Sequence, residues 1–98
     1  MKKHNFSVIK HNDVNHDLQE IIDYYNSKKA KLGNKFYAKA FKQMKQLSND
    51  FLLYEEKYHN VRCVAIKGFP YLIHYTVNQN NKTVLINAII STHQNPDT

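Results

Sequence analysis

Arg62, His74 and His93 are among the residues of this chain whose types suit proton transfer or phosphate binding. Arginine is permanently charged and presents a planar donor fork, and histidine titrates near neutral pH. In an extended segment His74 points away from Tyr71, Ile73 and Tyr75, because successive side chains alternate between faces. If those neighbours meet a core, His74 lies on the free face, as a proton-transfer group or as an ordinary surface histidine. Arg62 admits two readings as well, a functional contact or a structural charge on a strand. His93 falls in the polar segment after the last strand-like run. Cys63 has no second thiol, and no two of the six histidines sit at the helical spacing of a metal-binding pair, so no metal or cofactor is expected.

These groups need a scaffold, and the stretch Arg62–Val77 supplies its centre. Two runs of β-formers, Val61–Ile66 and Tyr71–Val77, flank Lys67-Gly68-Phe69-Pro70, where glycine permits a tight reversal and proline fixes its φ. A third run, Thr83–Ser91, follows the Asn-rich segment 78–82, which predicts a three-strand antiparallel meander.

Upstream, Phe6–Lys10 reads as a short strand. Val14, Leu18, Ile21, Ile22 and Tyr25 then share one helical face, with Asp17, Glu20 and Asp23 on the other side and Asp13 placed to cap the start. This helix is expected to run to about Lys31, where Leu32-Gly33-Asn34 breaks it. A second helix, from about Lys35 to Asn49, faces inward with Phe36, Tyr37, Ala40, Phe41, Met44 and Leu47. Its outer side carries Lys35, Lys39, Lys42 and Lys45, which reads as a solvated face or a nucleic-acid footprint. Residues 50–60 read as an aromatic-rich connector. The expected fold class is α+β, ordered β-α-α-β-β-β. An antiparallel sheet is covered on one face by an α-helical hairpin, the N-terminal strand joins it at an edge, and the other face stays open.

The 98 residues suit a single domain, 1–98. No apolar run is long enough to cross a bilayer, and the lone cysteine calls for no oxidising compartment, so a soluble cytoplasmic protein without membrane partners is expected. The net charge of +6 favours nucleic acid or an acidic protein as partner. Thirteen of the fourteen cations are lysines, which makes Arg62 stand out.

Several local signatures occur in order. They are Asp17-Leu18-Gln19-Glu20-Ile21 with Tyr24-Tyr25, Leu32-Gly33 with Phe36, and Asn60-Val61-Arg62 with Phe69-Pro70-Tyr71, Ile73 and Tyr75. The run Val84–Ser91 with Asn95-Pro96 completes them. Over residues 6 to 96 the chain resembles the RelE/ParE superfamily, the toxins of bacterial type II toxin–antitoxin (plasmid stabilisation) systems. The resemblance implies a small basic toxin held inactive by a cognate antitoxin that wraps it, as a dimer or a toxin–antitoxin hetero-oligomer. Its target would be DNA gyrase, or the ribosome and its mRNA.

Members that are ribonucleases carry several Lys and Arg on the hairpin strands, where this chain has Cys63, Ala65 and Leu72. Gln94 stands where many relatives have Arg, and Ser91 where a His often ends the last strand. The expected function is therefore a ParE-like toxin that binds gyrase, with Arg62, Lys67, Tyr71, His74 and Gln94 as candidate contacts to target or antitoxin. The alternatives are a ribosome-dependent mRNA endoribonuclease using Arg62, His74 or His93, and a homologue that has lost its activity.

Overall fold

Two amphipathic helices form the upper layer of the molecule. The computed structural model describes residues 5–92, in the order β1 (Ser7–Lys10), α1 (Asn12–Lys28), α2 (Leu32–Asp50), β2 (Glu56–Tyr58), β3 (Val61–Ala65), β4 (Tyr71–Asn78) and β5 (Thr83–Ser91). The α1 stripe is buried through Val14 and Leu18, and the α2 stripe through Phe36, Ala40, Met44 and Leu47. Both stripes pack on the inner side of the sheet, where Val64, Ile66, Ile73, Tyr75, Val84, Ile86 and Ile89 lie. The hairpin of helices thus covers one sheet face, as the hydrophobic pattern predicts. Tyr37 and Phe41, however, expected to face inward, lie at the margins of the stripe and are 39% and 48% exposed.

The helix ends differ from the sequence reading in an instructive way. Asp13 does not cap α1; His11 does, its Nδ1 accepting from the Asp13 backbone N–H at 3.2 Å. Asp13 instead sits in the first turn, where a negative charge suits the helix dipole. The chain reverses between the helices through Lys31, which takes the left-handed conformation at φ 69°. Gly33 is not a breaker, since it lies in the first turn of α2. A Cβ there would overlap the Ile22 carbonyl oxygen and come within 2.8 Å of the Asn26 side chain. The Asn26 side chain in turn accepts from the Gly33 N–H at 2.7 Å. The glycine is needed for the close approach of the two helices.

The sheet is mixed, with strand order β1-β5-β4-β3-β2. The meander β3-β4-β5 is antiparallel, in the register Val64↔Ile73 and Ile73↔Ile89. Strand β1 lies at an edge as expected, but it pairs parallel with β5. The opposite edge holds a strand, β2, inside the segment read as a connector. Glu56-Lys57-Tyr58 is exposed throughout and carries no apolar alternation, so composition does not mark it. His59 and Asn60, at φ 37° and 70°, form the tight turn into β3.

Two interactions pin the segment between α2 and β2. The buried Tyr75 hydroxyl donates to the Phe51 carbonyl at 2.7 Å, and the Phe51 ring stacks on Phe6 at 4.4 Å. Burial pushes the Tyr75 phenol up to about 12, so it stays a hydrogen-bond donor. At the far end of the sheet, Tyr25, Phe36, Phe69 and Tyr71 form one aromatic cluster with ring centroids 5.2–6.3 Å apart. That cluster docks the β3–β4 turn, with Gly68 at φ 87°, onto the helices.

Gly33→Ala should lower unfolding free energy by about 1–3 kcal/mol, because backbone must move to admit the methyl group. Urea unfolding of the variant against the parent chain measures it.

Candidate functional site

Strand register decides which candidate residues share a face, because directly paired residues point the same way. Cys63 pairs with His74, His74 with Ala88, Ala65 with Leu72, and Leu72 with Ile90. This set lies opposite Val64, Ile73 and Ile89, so it forms the face that the helices leave uncovered. His74 is therefore on the open face, as its alternation with buried Ile73 and Tyr75 predicts. Arg62 pairs with Tyr75 and points to the helix side. The two candidates are on opposite faces of the sheet and cannot act on one ligand atom.

Arg62 is mostly buried, and its contacts are internal. One guanidinium nitrogen donates to the Tyr54 carbonyl at 2.6 Å, and the other lies 3.9 Å from the Glu56 carboxylate. It clamps the same segment that Tyr75 holds.

On the open face, His74 Nδ1 lies 3.0 Å from the Tyr58 hydroxyl and 3.4 Å from Cys63 Sγ. A neutral ring with its proton on Nε2 satisfies both contacts as an acceptor. Desolvation holds the His74 pKa below its usual 6.5, and burial pushes the Cys63 thiol up, against a smaller opposing pull from Lys57. The pair is thus a thiol beside a neutral imidazole, the reverse of an activated thiolate–imidazolium couple. Tyr58 went unnoticed in the sequence because the strand carrying it did; only its partnership with His74 singles it out.

Tyr71 belongs to the aromatic cluster beneath the β3–β4 turn and is half-buried, whereas Lys67 on that turn is exposed. His93 and Gln94 lie outside the described residues. Among the described residues no group of three or more His, Cys, Asp or Glu side chains gathers as a metal site. No described helix is long and apolar enough to cross a membrane.

A second feature lies at the β1 edge. A cavity of about 290 Å³ opens between β1 and α2, lined by Phe6, Val8, Phe41 and Met44 with Lys10, Lys45 and Ser48. Phe41 and Ile9 of β1 are half-exposed, and among the described residues β1 has no neighbouring strand on its outer side.

With this geometry in place, the chain can be compared with known proteins. The family described as ParE toxin of type II toxin–antitoxin system, parDE, matches residues 8–96. Among solved structures, the chromosomal ParDE toxin–antitoxin system from P. aeruginosa contains a chain that superposes with a TM-score of 0.80 at 19% identity. The match covers 92% of this chain and 99% of that one. The archaeal RelE–RelB complex from Pyrococcus horikoshii OT3 contains a chain that superposes with a TM-score of 0.61 at 14% identity, over 93% of this chain and 99% of that one. No curated protein matches.

The His74 environment has a pH signature. Its folded pKa lies below the 6.5 of the unfolded chain, so on acidification the unfolded state takes up its proton first. The contribution to stability is complete above pH 6.5 and is lost as pH falls below it. Thermal unfolding from pH 7.5 to 5 should show a smaller acid-induced loss of stability in His74→Gln than in the parent chain.

Proposed function

The chain belongs to the ParE toxin family of type II toxin–antitoxin systems, and from that premise we propose that it acts in the cytoplasm by binding DNA gyrase rather than by cutting mRNA. One observation carries the reading: among the described residues, the open sheet face has no set of groups able to cleave a phosphodiester. Cleavage through a ribose 2′-OH needs a base, an acid and cations converging on the scissile phosphate. Cys63, Ala65 and Leu72 occupy the face where such cations would project, and none is charged. His74 is held neutral with Nδ1 engaged by Tyr58 and Cys63, and Arg62 is committed on the other side of the sheet. Capture of a protein target requires no such constellation, only a complementary surface.

Neutralisation by a cognate antitoxin belongs to the same proposal. The matched structures are toxin–antitoxin complexes, and the β1 edge beside the Phe41 cavity offers what an extended segment needs. Unpaired backbone groups on β1 accept an added strand, and Phe6, Val8, Phe41 and Met44 receive its apolar side chains. Lys10 and Lys45 favour a segment carrying carboxylates.

Two measurements test these statements. Purified full-length chain added to gyrase should inhibit supercoiling or trap cleaved DNA, and added to translating ribosomes it should leave mRNA intact. Unaltered gyrase together with site-specific mRNA cuts would overturn the proposal. For the antitoxin, Phe41→Glu should preserve toxicity on induction and weaken rescue by co-expressed cognate antitoxin at least 10-fold, roughly the effect of losing one interface anchor. Undiminished rescue would place the antitoxin elsewhere.

A further inference from the structure

We propose that the groove between α2 and the β3–β4 turn is a binding site for the phosphodiester backbone of duplex DNA. Lys35, Lys39 and Lys42 follow one another at spacings of four and three residues, which stacks them in a single stripe along α2. The fold adds a cation that sequence spacing cannot supply. Phe69 packs on Phe36 with ring centroids 5.2 Å apart, and this contact sets the β3–β4 turn, and Lys67 with it, against the stripe. Two adjoining cavities result, of about 260 Å³ and about 500 Å³, and both are lined by Lys39 and Lys67. Lys42 belongs to the first and Lys35 to the second.

No carboxylate lines either cavity. Among the described residues, none of these four lysines has an ion-pair partner; the ion pairs present involve His11, His16 and Arg62. The acidic side chains Asp13, Asp17, Glu20 and Asp23 are carried by α1, outside the groove. A cluster of like charges in a groove focuses a positive field, and an anion spread along it relieves their mutual repulsion.

The smaller cavity favours phosphates over an acidic peptide: it is walled by Gln46 and by Gln43, whose amide also donates to the Tyr54 hydroxyl at 3.3 Å, and amide groups of this kind bond phosphate and sugar oxygens. The larger cavity adds an apolar wall of Tyr25, Leu32, Phe69 and Pro70 beside Lys35. Lysines act as point charges that follow a line of anions without demanding a fixed bidentate geometry. Along α2 the stripe from Lys35 to Gln46 spans roughly 16 Å, about the axial rise of five base pairs. Phe69 is held edge-on in the aromatic cluster against Tyr25 and Phe36, which limits its use as a stacking platform for the bases of a single strand. A regular duplex backbone fits these constraints best.

The site stands apart from the gyrase proposal, since its test contains only this chain and nucleic acid. Fluorescence anisotropy with a 20-base-pair duplex of random sequence is compared with a single-stranded RNA of equal length and with polyglutamate. Four phosphate contacts predict a roughly 100-fold loss of DNA affinity between 50 and 200 mM salt. In Lys39→Gln/Lys67→Gln the loss over that range should shrink to about 10-fold, with weaker binding at 50 mM. Lys57→Gln/Lys82→Gln removes the same net charge outside the groove and should keep the parent's salt dependence. The proposal is overturned by absence of DNA binding at 50 mM salt or by equal salt dependence in the two double variants. Tighter binding of RNA or polyglutamate than of duplex DNA would overturn it as well.

Discussion

The close crossing of α1 and α2 at Gly33 is the constraint on which the rest of this structure depends. Contact with the Ile22 carbonyl leaves no room for a side chain, and Asn26 locks the approach by accepting from the Gly33 N–H. With the helices this near, Tyr25 of α1 and Phe36 of α2 meet in one cluster and present a joint aromatic surface. Phe69 and Tyr71 dock on it edge-on, which fixes the β3–β4 turn beneath the N-terminal half of α2. The position of Lys67, and of the groove it shares with α2, follows from that chain of contacts.

Covering one sheet face divides the labour between the two sides. The helix side is apolar and holds its polar groups in internal bonds, as with the Tyr75 hydroxyl on Phe51 and the Arg62 guanidinium on Tyr54. A buried donor without a partner would cost about 1–3 kcal/mol, so such groups are committed to the fold. The open side keeps His74 and Cys63 partly desolvated and uncharged. A cluster of lysines gathers on α2 and the turn. For a toxin of this family the arrangement separates the scaffold, the neutral sheet face and the basic groove into distinct surfaces.

Much of this was legible in the chain. Alternation of Ile73, His74 and Tyr75 placed His74 on the open face, and the Lys67–Pro70 break marked the hairpin. The edge strand β2 was not legible, because an exposed strand of charged residues has no apolar period to betray it. Gly33 gave the right position with the wrong role, since a glycine required for close packing and one required for a turn look alike in sequence. The capping of α1 by His11 instead of Asp13 was hidden for a related reason: both side chains can accept from a first-turn N–H, and only backbone geometry chooses between them.

By itself the sequence determined the order of elements apart from β2, most of the residues they bury, the excess of lysine and the family pattern, because hydrophobic period and turn chemistry are local properties. Only the tertiary structure decided that Arg62 and His74 are separated by the sheet, that β1 pairs parallel with β5, and that Lys67 joins Lys35, Lys39 and Lys42 in one groove. Those outcomes depend on strand register and on aromatic packing between residues distant in the chain. Neither leaves a mark in residue spacing.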